Sequence, residues 1–223
     1  MVDLGTLQIH LAETEADVPH LRDGCQKQVI WGGAPAQQTE FAVVFIHGFS
    51  ASLGELRPMP DLVAKGLGAN LFYTRLTGHG QDGDAMATAT LDAWERDVQE
   101  ALEIGQALGK RLLVIGCSTG CTLATLALAS VAKMAGLVQV SPNYGLAHYA
   151  AQTLLDMPYA EKWGHLIAGK TRAFPVVSDA HQKYWTTTYP SVAAHPMAQA
   201  VRSVREADLS AIRVPTIAFV NAE

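Results

Sequence analysis

The stretch Leu112-Leu113-Val114-Ile115-Gly116-Cys117-Ser118-Thr119-Gly120 decides the fold that we predict for this chain of 223 residues. Its first four residues are apolar, its last five place a serine between two glycines, and a run of small residues follows from 122 to 130. This order predicts a strand, a sharp turn and a helix, which is the context that presents a serine above a sheet. Because two glycines and a serine at this spacing occur by chance in about one chain in ten, the neighbouring sequence has to support the interpretation.

The composition predicts a single domain with one large core. Hydrophobic residues make up 49% of the chain and charged residues 17%, so a chain of this length can bury a core without metals or disulfides. The formal net charge is -5 and no run of lysine or arginine occurs, which argues against nucleic acid or an anionic membrane as the main partner. We therefore expect a neutral or mildly charged small-molecule ligand.

Cysteine usage and hydropathy predict a cytoplasmic protein. The three cysteines are an odd number and fit a reducing compartment better than a disulfide framework. No stretch reaches the roughly 18 apolar residues of a membrane span, and the first residues lack the pattern of a signal peptide. Cys117 and Cys121 are not accompanied by a second pair of Cys or His at zinc spacing, so we expect no metal.

Segments of strand and helix character alternate along the chain. Strands are predicted over 41–46, 70–75, 111–115, 136–140 and 214–220, and helices over 53–67, 91–105 and 119–130. Polar and apolar residues alternate over 6–11, which predicts one strand of an N-terminal hairpin with 27–31 as its partner. Strands separated by helices predict an α/β fold, a mostly parallel sheet with helices on both faces.

Two turns are expected to meet at the carboxyl ends of the strands, where parallel sheets bind ligands. His47-Gly48-Phe49 ends the strand over 41–46, and the Ser118 turn ends the strand over 111–115. If Ser118 is a nucleophile, the helix that begins at Thr119 offers one backbone N–H to the oxyanion, and the Phe49 N–H is the first candidate for a second donor. A simple strand-ending turn at His47-Gly48 is the alternative interpretation.

Four motifs follow one another along this chain: 43–49, 75–80, Trp94 with Asp97-Val98, and 114–120. Together they resemble the α/β-hydrolase superfamily, in the branch of monoacylglycerol lipases, lysophospholipases and carboxylesterases. Residues 214–217 resemble the strand that precedes the catalytic acid of that family. The resemblance covers about four fifths of the chain by the map of predicted strands.

The resemblance implies Ser118 as the nucleophile, the backbone amides of Phe49 and Thr119 as the oxyanion hole, and no cofactor. It also implies a helical cap over 144–208, inserted into a core formed by 1–143 and 209–223. The cap contains five of the six tyrosines of the chain. These aromatic residues suit a pocket for the apolar acyl group of a small ester, or they pack the core of the insertion itself.

The acid and the histidine of the catalytic triad are not matched in this chain. In the family both follow the strand that begins at Val214, so the acid would fall just after Glu223 and the histidine one strand later. Glu223 could act as a displaced acid, but it has no partner histidine. All the histidines precede this point, and none matches the base of the family: His10, His20, His47, His79, His148, His165, His181 and His195.

We therefore expect the sheet to lack its last strand and helix, either because the sequence is a fragment or because the protein is naturally shortened. The leading function is a serine hydrolase of carboxylic esters that forms an acyl-enzyme at Ser118, with little or no turnover by these 223 residues. The alternative is a non-catalytic protein of the same fold that binds a small apolar ligand or a partner through its cap.

Overall fold

A computed structural model describes residues 2–130, 133–145 and 169–221 of the chain. The strands in these ranges are, in chain order, β1 (Gln28–Ile30), β2 (Thr39–Ile46), β3 (Asn70–Tyr73), β4 (Gly109–Cys117), β5 (Gly136–Val140), β6 (Thr171–Ala173), β7 (Thr188–Pro190) and β8 (Thr216–Phe219). The helices there are α1 (Leu7–Ala16), α2 (Met59–Leu67), α3 (Gly83–Ala87), α4 (Leu91–Leu108), α5 (Thr119–Ser130), α6 (Asp179–Tyr184) and α7 (His195–Glu206).

The central sheet confirms the predicted α/β architecture. Its strand order is β1-β3-β2-β4-β5-β8, and β6 and β7 pair separately. Strands β2, β3, β4, β5 and β8 run parallel, whereas β1 pairs antiparallel with β3. Strand β8 forms one edge of the sheet, and its residues Ile217 and Phe219 are exposed.

Two apolar layers bury the middle of the sheet. Successive residues of β2 face opposite sides, so Val44 and Ile46 join one core cluster whereas Val43 and Phe45 join the other. Helices α1, α4, α5 and α7 pack into the first cluster, and α2 packs into the second. The continuous apolar run of β2 is therefore explained by burial on both faces.

The prediction of an N-terminal hairpin is wrong for residues 6–11. These residues form the start of helix α1, in which Leu7, Leu11 and Glu15 are buried at intervals of four residues. Ile9 completed the apparent alternation of a strand, but it is 60% exposed. The predicted partner over 27–31 does contain strand β1, which pairs with β3 instead.

The helix predicted over 53–67 begins only at Met59. Pro58 precedes its first residue, and Pro60 is accommodated in the first turn, where no intrahelical N–H bond is needed. Gly68 closes the helix at φ +57°, a left-handed conformation that glycine adopts without strain. Helix α4 matches its prediction closely, and the Thr90 hydroxyl caps it by accepting from the Ala93 N–H.

The segment predicted as a cap, 144–208, is only partly described, because 146–168 lie outside the described residues. Its later part contains β6, α6, β7 and α7. Helix α7 packs against α5 and buries Ala200 in the first core cluster. The division of the chain into a core and an insertion stays a prediction. None of the helices within the described ranges is long and apolar enough to cross a membrane.

A buried ion pair ties the N-terminal helix to the end of β3. The Arg75 guanidinium donates from Nε to Glu15 Oε2 at 2.7 Å and from Nη2 to Glu15 Oε1 at 2.8 Å. Burial by itself raises the pKa of Glu15, but the hydrogen bonds and charge of Arg75 outweigh it and leave that pKa below its usual value. The Lys27 N–H also donates to this carboxylate, so helix α1, β1 and the turn after β3 share one anchor.

Two buried histidines pack against each other in the turns that follow β2 and β3. His47 and His79 have ring centroids 5.0 Å apart, and both are fully buried. Burial lowers the pKa of His47 to about 4, and it lowers the pKa of His79 well below its usual value. The Trp94 indole donates to the Thr77 carbonyl at 2.9 Å, which fixes the turn that carries His79.

We expect Glu15→Ala to destabilise the fold by about 3–5 kcal/mol, because it leaves the buried Arg75 guanidinium without its carboxylate. Urea denaturation measures the free energy of unfolding. The control is Glu40→Ala, which breaks an exposed pair with Lys110 and should cost about 1 kcal/mol or less. Equal effects of the two substitutions would contradict the structural role of the buried pair.

We expect the free energy of unfolding to fall between pH 6.5 and pH 5. In this window the unfolded chain protonates His47 and His79 whereas the folded chain keeps them neutral, so protons favour unfolding by about 1.4 kcal/mol per histidine and pH unit. Burial raises the pKa of Glu55 to about 6, so the folded chain takes up one proton at Glu55 in this window. This proton favours the folded state and offsets the effect of one histidine. Urea denaturation across this range gives the slope of the free energy of unfolding against pH. We expect His79→Phe to reduce this slope by the equivalent of about one proton. A wild-type slope of zero would contradict the neutral histidines.

Candidate active site

Ser118 occupies a strained position between β4 and α5. Its φ is +49°, a left-handed conformation that costs a non-glycine residue about 1 kcal/mol or more. The surrounding backbone holds it there: the Ser118 N–H donates to the Val140 carbonyl at 2.9 Å, and the Ser118 carbonyl accepts from Cys121 N–H at 3.0 Å and Asn143 N–H at 3.3 Å. The predicted strand, turn and helix are therefore present, with the half-buried serine at the turn.

The two glycines of the motif allow close approach rather than flexibility. A Cβ on Gly116 would lie 2.8 Å from the Cys121 nitrogen, at the first turn of α5. A Cβ on Gly120 would overlap the carbonyl oxygen of Ile46, at the end of β2. Since real Cβ atoms do not approach so closely, both positions require glycine.

The strand register brings the two predicted turns together. Ile46 of β2 pairs with Gly116 of β4, so the residues that follow each strand are neighbours. A Cβ on Gly48 would lie 3.1 Å from the Ser118 Cβ. The turns at 47–49 and 116–120, which are separated by about 70 residues of sequence, form one site as predicted.

Two backbone N–H groups close to Ser118 have no hydrogen-bond acceptor among the described residues. Within the described residues, no acceptor is hydrogen-bonded to the Phe49 N–H or to the Thr119 N–H. Thr119 is the first residue of α5, where an N–H has no intrahelical partner and the helix dipole favours negative charge. The assignment of these two amides to an oxyanion hole stays a prediction.

His47 serves the backbone of this site. Its Nδ1 lies 2.9 Å from the Gly48 carbonyl, and its Nε2 accepts from the Leu76 N–H at 3.1 Å. The neutral ring therefore donates from Nδ1 and accepts at Nε2, which agrees with its lowered pKa. Both ring nitrogens are used, and His47 is not placed to accept a proton from Ser118.

No histidine of the described residues is hydrogen-bonded to the Ser118 hydroxyl. The buried His79 ring packs against Trp94 at a tilt, and its Nδ1 is 3.2 Å from the Thr77 carbonyl. His181 packs between the rings of Phe174 and Trp185. His148 and His165 lie outside the described residues. The described chain thus shows a presented serine without an adjacent base.

The ring of Phe49 is linked by aromatic contacts to residues in and next to the paired strands β6 and β7. It meets Tyr189 edge to face, with centroids 5.2 Å apart, and Tyr189 meets Phe174 at 6.3 Å. Tyr189 and Phe174 are half-buried, so part of each ring stays accessible. Apolar faces next to a polar site are typical of a ligand pocket, although packing within the segment explains the same contacts.

Polar side chains anchor the segment that follows β5 onto α5. The hydroxyls of Thr125 and Tyr144 are 2.8 Å apart, and the Gln139 amide donates to Thr125 at 3.1 Å. The Thr122 hydroxyl donates to the Asn143 carbonyl. Since the Asn143 N–H also holds the Ser118 carbonyl, this network fixes one side of the serine turn.

Glu55 is a neighbour of the site that the sequence analysis missed. Its Oε2 accepts a hydrogen bond of 2.6 Å from the Gly48 N–H. Burial raises the pKa of Glu55 to about 6, although the bond from Gly48 acts in the opposite direction. Glu55 falls in the segment that the sequence predicts as a helix over 53–67. The helix begins only at Met59, so that prediction missed the turn that folds Glu55 back onto Gly48.

The thiols next to the serine are buried and unpaired with one another. Cys117 and Cys121 are free cysteines, and the Cys121 thiol contacts the Val140 carbonyl at 3.6 Å. Burial raises the pKa of both thiols, that of Cys121 to about 12. Among the described residues, no group of three His, Cys, Asp or Glu side chains is placed to hold a metal ion.

Comparison with known proteins identifies relatives of this chain. A profile of the alpha/beta hydrolase family matches residues 43–221. The thermostable monoacylglycerol lipase of Bacillus sp. (strain H-257) is 27% identical over 128 residues, which are 56% of this chain and 51% of the lipase. The match thus spans about half the length of that relative.

Solved structures share the fold at low sequence identity. A chain from the structures of LipS and LipT, two metagenome-derived lipolytic enzymes, has a TM-score of 0.71 and 17% identity and covers 91% of this chain and 78% of that chain. The monoacylglycerol lipase of Paleococcus ferrophilus has a TM-score of 0.60 and 14% identity, with coverages of 87% and 76%.

These structures support the fold, and the profile supports the family. The region that the profile matches begins within β2, ends after β8 and includes both turns of the site. The chain therefore belongs to the alpha/beta hydrolase family.

Proposed function

We propose that this chain is the core of a serine hydrolase of carboxylic esters, with Ser118 as the nucleophile. The observation that carries the proposal is the strained turn at φ +49°, which lies directly against Gly48. The amides of Phe49 and Thr119 lie at the same site without acceptors in the described part of the chain. A strained serine next to unpaired donors is the arrangement that acyl transfer requires.

The proposed reaction proceeds through an acyl-enzyme. Ser118 Oγ attacks the ester carbonyl while a base takes its proton, and the carbonyl oxygen becomes an oxyanion that accepts from the Phe49 and Thr119 amides. The intermediate then breaks its bond to the alkoxy group, which leaves as an alcohol after protonation. Water attacks the acyl-serine in the same way and releases the carboxylic acid. The reaction needs no cofactor.

The substrate that we propose is a small ester with an apolar acyl group. The relative from Bacillus is a monoacylglycerol lipase by name, and the half-buried rings of Tyr189 and Phe174 extend from Phe49 as an apolar surface. We assign this surface to a cap over 144–208. A cytoplasmic location fits the three free, buried cysteines.

We further propose that residues 1–223 alone show little or no turnover of esters. In the described part of the chain no histidine reaches the Ser118 hydroxyl, and a serine without a base is a weak nucleophile. The same observation favours a second candidate function, a non-catalytic protein that binds a small apolar ligand or a partner through the cap. That candidate predicts ligand binding that Ser118→Ala leaves intact, and no hydrolysis.

A fluorophosphonate probe tests the leading proposal. On the full gene product, we expect a covalent adduct at Ser118, located by peptide mass spectrometry, and a loss of labelling of at least about 100-fold in Ser118→Ala. Ser141→Ala is the matched control, because Ser141 also follows a strand of the sheet at a positive φ of +47°. This variant should label like the wild type. Labelling that persists in Ser118→Ala would reject Ser118 as the nucleophile.

A further inference from the structure

Glu55 reaches the site from the turn that precedes α2. Its own N–H donates to the Ser52 carbonyl at 3.0 Å, which folds the chain back so that the carboxylate meets the Gly48 N–H. A Cβ on Gly48 would lie 2.8 Å from Glu55 Oε1 and 3.1 Å from Ser118 Cβ. The carboxylate and the serine are thus both in contact with Gly48.

Gly48 is held at both of its backbone polar groups. Glu55 binds the N–H, while the carbonyl accepts from the His47 ring at 2.9 Å and from the Ala51 N–H at 3.3 Å. The Gly48 carbonyl and the Phe49 N–H belong to one planar peptide and point in opposite directions. The bonds from His47 and Ala51 to the Gly48 carbonyl hold this peptide directly. Glu55 holds the preceding peptide through the Gly48 N–H, so rotation about Gly48 does not relax the direction of the Phe49 N–H.

A carboxylate at position 55 costs free energy of desolvation, and the hydrogen bond to Gly48 does not by itself require a charged acceptor. The bond to Gly48 needs only an acceptor, which the amide oxygen of a glutamine would supply without a charge. Glu55 instead carries an ionisable group into a site where burial opposes the charged form. The titratable groups that face it are the thiols of Cys117 and Cys121, whose raised pKa values keep them neutral across the usual pH range.

We propose that Glu55 is a positioning residue that aims the Phe49 N–H at the substrate oxyanion, and that its negative charge opposes the charge of that oxyanion. This inference rests on the proposed function. Glu55 then has two effects on the site, one as a hydrogen-bond acceptor for the Gly48 N–H and one through its negative charge. When Glu55 is protonated, the acceptor remains and the opposing charge is removed.

Two substitutions separate these effects. Glu55→Gln keeps an acceptor for the Gly48 N–H and removes the charge, whereas Glu55→Ala removes both. Glu40→Gln, in an exposed ion pair with Lys110, is the matched control for loss of one carboxylate. All variants are compared as the full gene product.

The first measurement is the rate at which a fluorophosphonate labels Ser118. We expect Glu55→Ala to label about 10- to 100-fold more slowly, because a misdirected donor loses much of its effect. Glu55→Gln should match the wild type at pH 5 and exceed it by about threefold or more at pH 8. The ratio of wild type to Glu55→Gln therefore falls as the pH rises through about 6, and the Glu40→Gln variant shows no such change.

The second measurement does not depend on catalysis. The amide proton of Gly48, observed by NMR, should lie downfield in the wild type and shift upfield as Glu55 is protonated. We expect no such titration in Glu55→Gln, and an upfield position at every pH in Glu55→Ala. A Gly48 signal that neither substitution alters would overturn the inference.

The two measurements also distinguish this inference from the proposed function. Labelling that requires Ser118 but is equal in the wild type and both Glu55 variants would overturn the role of Glu55 and leave the hydrolase intact. If labelling does not depend on Ser118 while the Gly48 signal follows the pattern above, the hydrolase proposal fails and the positioning of Gly48 by Glu55 is supported.

Discussion

The backbone contact between α5 and the end of β2 is the constraint on which the site depends. Gly120 touches the Ile46 carbonyl so closely that no side chain fits between them. This contact forces the chain to turn sharply between β4 and α5, and Ser118 takes the left-handed conformation that the turn requires. The strain is local, and the packed sheet and helix maintain it because neither can relax without losing buried apolar contacts.

Buried hydrogen bonds fix the turns around Ser118 in addition to the close packing of α5 against β2. His47, Glu55 and the Asn143 backbone each bind a main-chain group next to Ser118. Each buried polar group is costly without a partner, so the partners restrict the turns to a single arrangement. The bidentate Arg75–Glu15 pair acts in the same way at a distance, since it holds helix α1 against the turn after β3. Rigidity at the site thus follows from hydrogen bonds inside an apolar core.

The predictions were confirmed where a local sequence pattern is compatible with only one type of secondary structure. Continuous apolar runs such as the one in β2 and the helical spacing in α4 identified elements that the core buries. The alternation over 6–11 is compatible with a strand and with a helix, and only the exposure of Ile9, which is a tertiary property, distinguishes them. Glu55 lay in a segment predicted as a helix, and that prediction was wrong for the residues before Met59. Its importance comes from a bond to Gly48, seven residues earlier, that only the folded turn creates.

The sequence by itself determined the strands β2 to β5, the helices α4 and α5, the turn that carries Ser118, and the resemblance to the α/β-hydrolase superfamily, because these depend on local periodicity and motif spacing. Only the tertiary structure decided that His47 is a neutral backbone ligand, that the Phe49 and Thr119 amides lie beside Ser118 without acceptors in the described residues, and that a carboxylate holds Gly48. The reason is physical: burial and hydrogen-bond partners arise from residues distant in sequence, and they set the charge and direction of each group at the site.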